Sequence, residues 1–182
     1  LAEQAFQRTH AYSALLDILP AMRKVNLHSE AELDALQQSA LLGLMSQAMA
    51  DGGSEGLKQW WRNQPRKVRQ DLPLQVAMTE HLIECDDHDT AQQILIESLK
   101  QRFDERLILL MPRLKSGQPA PLEKQLRQLV KQHGDLALLH STLGQLMLKQ
   151  GEWQQASDAF AAALALRPDA FDYAWRAEAF DH

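Results

Sequence analysis

Apolar side chains recur along this chain at three- and four-residue steps, and they rarely alternate with polar ones. Between Glu30 and about Ala50 they fall at Leu33, Leu36, Ala40, Leu41, Leu44, Met45 and Ala48. That period is one face of an α-helix. Ser29-Glu30-Ala31-Glu32 ahead of it is a capping box, in which Ser29 accepts from the amide three residues on and Glu32 reaches back. Asp51-Gly52-Gly53 should end that helix, and Ser54 should cap a shorter one, Glu55 to Asn63, carrying Leu57, Trp60 and Trp61. Pro65 breaks the chain again. Further helices are predicted over about Leu72–Cys85, from Asp89 or Thr90 to about Arg102, over Asp104–Leu114 and over Leu122–His133. Ser116–Pro121 is a loop by its Gly and Pro content. At the start, Leu1–Arg8 and Ser13–Lys24 read as two helices with His10 at the turn between them, so that Ala2, Phe6, Tyr12, Leu15, Leu19 and Met22 pack. Pro20 should kink or break the second of these.

The clearest stretch is Leu136 to Pro168. With Ala137 as position one, Leu143 and Gly144 fall at seven and eight, Met147 at eleven, Gly151 at fifteen and Trp153 at seventeen. Ala156 falls at twenty, Phe160 at twenty-four, Ala163 at twenty-seven and Pro168 at thirty-two. Small Gly144 and Ala156 suit a close helix approach, large Trp153 and Phe160 fill the space beside it, and Gly151 suits a turn of positive φ. This pattern resembles a tetratricopeptide repeat, a 34-residue helix–turn–helix unit whose neighbours bury its apolar face. In a second, fainter copy Met78, Leu82, His88, Ala91, Leu95 and Leu99 hold the matching offsets. The fold implied is all-α, a right-handed tetratricopeptide superhelix running as one domain through residues 1–182. Its repeats fall at about 1–26 (partial), 29–65 (non-standard), 72–105, 106–136 (degenerate), 137–170 and 171–182 (partial). By the same resemblance the first helix of each repeat lines a concave face. That assigns Leu138, Ser141, Gln145 and Leu148 in the best repeat, and Pro73, Val76, Glu80 and Ile83 in the second, to a groove suited to an extended peptide or a partner's helix.

Three longer stretches narrow the family: G-S-E-G-L-K-Q-W-W-R-N-Q at Gly53–Gln64, L-Q-V-A-M-T-E-H-L-I-E-C-D-D-H-D-T-A-Q-Q at Leu74–Gln93, and G-E-W-Q-Q-A-S with R-P-D-A-F-D-Y-A-W inside Gly151–Trp175. They resemble the C-terminal region of the proteobacterial HemY family, tetratricopeptide-repeat proteins of haem biosynthesis. The resemblance implies an inner-membrane protein anchored by N-terminal helices, with its repeat region on the cytoplasmic side. It further implies a role in a late step of protohaem synthesis, with late haem-biosynthetic enzymes as partners. It carries over no catalytic residues. Leu1 and Asp181–His182 each read as positions inside a helix, so the stretch reads as a piece of a longer chain.

Composition adds exclusions. A net charge of −5 argues against bulk binding to nucleic acid. The single cysteine, Cys85, cannot form an internal disulfide. No run of 18 apolar residues is present to span a membrane, and the eight glycines never form G-x-G-x-x-G. No Ser–His–Asp or Cys–His arrangement is supported, and the reading is non-catalytic. Two clusters carry sharper alternatives. His81 and Cys85 share a helix face with His88 in the following turn, a set that could ligate zinc or haem iron as a carrier or sensor. The plainer reading makes Cys85 a small buried hydrophobe and His88 the counterpart of Trp153. Trp60, Trp61 and Arg62 with Arg66, Lys67 and Arg69 form a basic–aromatic cluster suited to an anionic membrane surface or a partner. The plainer reading puts one Trp in the core and the cations at a helix C-terminus. A generic repeat adaptor outside haem synthesis is the third functional alternative.

Overall fold

The computed structural model describes residues 2–25, 28–134 and 136–181, with side chains from residue 11 onward. Among the described residues the chain forms ten α-helices, one 3-10 turn and no strand. It divides into two compact units, Leu1–Asp87 and His88–His182.

In the first unit, α1 (Ala2–Val25) packs against α2 (Glu30–Arg62), and α2 against α4 (Leu72–Glu84). The short α3 (Arg66–Arg69) leads into α4. The expected turn at His10 is not there: α1 is one helix of 24 residues. Thr9, Ala11 and Ser13 around it include no Gly or Pro, so nothing stops propagation. The packing expected of Ala2 and Phe6 lies outside the described side chains. The helix also continues through Pro20, which is exposed, so water can satisfy the carbonyl that proline leaves without a donor. The capping box forms as read. The Ser29 amide donates to Glu32 at 2.8 Å and the Glu32 amide to Ser29 Oγ at 3.3 Å; the Ser29 amide, and its hydroxyl at 2.9 Å, hold the Glu32 carboxyl below its ordinary pKa.

The break expected at Gly52–Gly53 is in the backbone: Gly53 has φ 56° and ψ −146°. Helical hydrogen bonding resumes at once on its far side, so two arms share α2. Ser54 does not cap the second arm. Its hydroxyl donates instead to the carboxylate of Asp87, a charged and stronger acceptor than a neutral group. Lys58 joins the same carboxylate at 2.8 Å and Glu55 at 2.5 Å, and these bonds raise its pKa. The core of this unit is Leu33, Met45, Leu57, Leu74, Met78 and Leu82, all buried. A β-carbon added at Gly43 would run into the ring of Tyr12, so α1 and α2 meet across a glycine.

The second unit holds α5 (His88–Gln101), α6 (Glu105–Leu110) with the 3-10 turn Met111–Arg113, α7 (Ala120–His133), α8 (Ala137–Gln150), α9 (Trp153–Leu166) and α10 (Ala170–Phe180). α5 begins a residue or two ahead of its expected start. The hairpin of α8 and α9 follows the pattern read from the residues. Gly151 is left-handed (φ 74°, ψ 16°), and the amides of Gly151 and Glu152 bond the carbonyls of Leu148 and Met147. That pair of bonds is a Schellman closure. Gly144 lies under the Phe160 ring, with a hypothetical β-carbon only 2.6 Å from Cε1. Phe160 is fully buried and its ring centroid is 5.8 Å from that of Trp175 on α10. Burying such a side chain contributes about 1.5–3 kcal/mol.

Candidate interaction surfaces

The turn after α4 is closed by the same device as the turn after α8, with a different residue. The amide of Asp86 bonds Ile83 O and that of Asp87 bonds Leu82 O. Asp86 therefore takes the left-handed position (φ 57°) that Gly151 takes in the later hairpin. This geometry decides how the cluster around Cys85 is built. His81, one turn before the end of α4, has Nδ1 3.1 Å from a Glu84 oxygen and Nε2 3.4 Å from Ser46 Oγ. Cys85 is the C-cap and half-buried. Burial raises its thiol pKa, and Glu84, Asp87 and Asp86 raise it further, so the thiol is held in the protonated form rather than as the thiolate that ligates metals. His88 opens α5 in the second unit, while His81 and Cys85 belong to the first. Among the described residues no group of three His, Cys, Asp or Glu side chains is placed to hold a metal ion.

The basic–aromatic cluster divides by burial. Trp61 is in the core, and Trp60 is half-buried with its ring centroid 6.4 Å away. Arg62, at the end of α2, and Arg66, Lys67 and Arg69, which make up α3 with Val68, are all exposed. Arg69 Nε reaches the Gln64 carbonyl at 3.2 Å, and the Arg69 carbonyl accepts from Gln75 at 3.0 Å. Lys67 also faces a cleft of about 350 Å³ shared with Asp34 and Asp71, so part of this positive face is countered by carboxylates.

On α8 the four groove candidates separate. Leu138, Gln145 and Leu148 are half-buried, whereas Ser141 is buried. Ser141 Oγ donates to Asp172 Oδ1 at 2.5 Å, and Gln145 Nε2 lies 3.4 Å from Ser141 Oγ. Asp172, on α10, is only 1% exposed. Desolvation raises its pKa above the ordinary carboxylate range, with Asp169 adding to the rise, while the Ser141 bond and Arg167 oppose it. The polar pair thus ties α8 to α10, with half-buried Gln145 within reach of it. On α4, Val76, Glu80 and Ile83 are half-buried, interleaved with the buried Gln75, Met78, Thr79 and Leu82. Asp172 was not foreseen. It lies 31 residues from Ser141 (172 minus 141), and no local pattern in the chain announces the pairing.

Fold and surfaces define an all-α protein of packed helices whose candidate faces are half-buried and mix apolar with polar side chains. Comparison with known proteins is specific. The chain is 61% identical over 181 residues to Protein HemY of Escherichia coli K12, and equally so to Protein HemY of Escherichia coli O157:H7 and of Shigella flexneri. Each match covers 100% of this chain and 46% of the relative, so the chain spans about half the length of the curated relatives it matches. The resemblance to HemY read from the residues is borne out along the whole chain. No family model matches, and no solved structure matches. Among the described residues no helix is long and apolar enough to cross a membrane.

Proposed function

We propose that this chain is the non-catalytic interaction region of a protein of haem biosynthesis, built from tetratricopeptide-type hairpins, which gathers or regulates late enzymes of that pathway. The observation that carries the reading is the 61% identity to HemY proteins over the entire chain. Each unit offers its own candidate face, Gln145, Leu138 and Leu148 on α8 of the second and Val76, Glu80 and Ile83 on α4 of the first, each setting apolar contact beside a hydrogen-bonding group. Such a surface suits an extended segment or a helix of another protein. The whole protein is held at the bacterial inner membrane, through a segment outside this chain, with this region facing the cytoplasm.

The test is affinity capture from a bacterial membrane extract with this chain as bait and an unrelated tetratricopeptide protein as control. Enrichment of porphyrin-pathway enzymes, reduced when Gln145 and Glu80 are replaced with Ala, is the expected result. Equal recovery of those enzymes on both baits would overturn the reading.

A further inference from the structure

In the second unit, the loop after the 3-10 turn, the start of α7 and the end of α8 enclose a cleft of about 400 Å³. Its size falls in the range of small-molecule sites, roughly 300–1,000 Å³. Leu114, Pro119, Leu122 and Leu146 line it together with Lys115 and Lys149, and the two lysines are close enough to repel each other. Its lining includes no carboxylate. Lys149 is not a loosely held cation. Its ammonium donates to the carbonyls of Pro112, inside the 3-10 turn, and Leu114, its C-cap, and so it is fixed at the edge of the apolar surface. An ammonium has three N–H donors, so that anchoring leaves one for a further acceptor. Burial lowers the Lys149 pKa, and the neighbouring Lys115 lowers it further. Two like charges beside an apolar wall are mutually unfavourable, and an anion between them reverses that term. Ser116, also on the lining, gives its hydroxyl to Asp89 at 2.7 Å and is already engaged.

We propose that this cleft binds a small acyl carboxylate, with its alkyl body against Leu114, Leu122 and Leu146 and its carboxylate between Lys115 and Lys149. Cation and apolar wall together select the class. An alcohol or amide of the same chain length gains only the apolar part, and a short inorganic anion gains only the charge. Charge-assisted bonds to a carboxylate are roughly twice as strong as neutral ones, which sets the discrimination expected.

The experiment uses the 182-residue chain with labelled leucine methyl groups, titrated with octanoate, 1-octanol and N-acetyl-leucine at pH 7.5. Octanoate should saturate and move the methyl signals of Leu114, Leu122 and Leu146, and 1-octanol should bind at least about fivefold more weakly. Lys115→Gln should weaken octanoate by a similar factor and leave octanol unchanged. Lys115 is exposed, so this change spares the anchoring role of Lys149. Octanol binding as tightly as octanoate, or Lys115→Gln without effect on octanoate, would overturn the proposal. Binding of N-acetyl-leucine without octanoate would overturn it too, by assigning the cleft to a peptide C-terminus instead.

Discussion

Replacing Gly144 with Ala puts one methyl group into the closest helix approach of the second unit. In most helices that change stabilises by about 1 kcal/mol, because glycine is the poorer helix former. Here the new carbon would sit 2.6, 2.7 and 2.8 Å from Cε1, Cζ and Cδ1 of Phe160. Carbon atoms in good contact lie about 3.5–4.0 Å apart, so the ring or the helix must retreat by about 1 Å. The ring has no obvious space to retreat into, since Phe160 is fully buried and Trp175 stands beside it. Overpacking of this kind costs about 1–3 kcal/mol, and contact with three ring carbons places it near the upper end. Subtracting the propensity gain leaves a net loss of about 2 kcal/mol, or about 4–8 °C in Tm for a chain of this size. Thermal and urea unfolding followed by circular dichroism would measure it. A double-mutant cycle isolates the cause: in a Phe160→Leu background the same Gly144→Ala change should be neutral or stabilising. Gly52→Ala is the matched control. That glycine is also helical, but a β-carbon there meets nothing within 4 Å, so it should gain about 0.5–1 kcal/mol. If Gly144→Ala stabilises the protein as Gly52→Ala does, the close-approach reasoning is wrong.

Other outcomes follow from the same structure. Asp172 has its folded pKa raised, so its contribution to stability is greatest when it is protonated, below the unfolded value of about 3.9, and is lost as pH rises through the folded value. Asp172→Asn keeps an acceptor for Ser141 and removes the buried charge. It should match or exceed the parent in Tm at pH 7, with the difference vanishing by about pH 3.5, and thermal melts across pH would show this. Asp86→Gly relieves a left-handed aspartate at the end of α4 and should raise stability by about 0.5–1 kcal/mol in urea unfolding. The Cys85 thiol, held protonated by burial and three carboxylates, should be alkylated by iodoacetamide at pH 8 more slowly than a free cysteine peptide, as mass spectrometry would report.

What could be read from the chain beforehand was mostly local chemistry with a single solution. The Ser29–Glu32 box, the left-handed Gly151 and the Gly144–Phe160 contact each depend on residue types at short, fixed offsets, and each formed as the spacing required. The turn expected at His10 rested on register carried over from a distant repeat, with no Gly or Pro to enforce it, and helix propagation prevailed. Ser54 is a good cap by type, but a carboxylate 33 residues away competes for its hydroxyl. For the candidate surfaces, the half-buried character of Leu138, Gln145 and Leu148 follows from helical period. The withdrawal of Ser141 into a pair with Asp172 does not, because it depends on α10, two helices further along the chain.

The break at Gly53 changes what α2 is when the protein opens and closes in solution. Its 33 residues would make a straight rod about 50 Å long. Instead Gly53 departs from helical geometry in mid-element, next to exposed Asp51 and Gly52. Amide protons on the two arms should therefore exchange as separate sets. Those on the arm carrying Leu33 to Met45 would be released when α1 lifts away, and those from Glu55 onward would be governed by the pins from Ser54 and Lys58 to Asp87. One element by hydrogen bonding, α2 would behave as two in the time domain, with its least protected amides at the glycine pair.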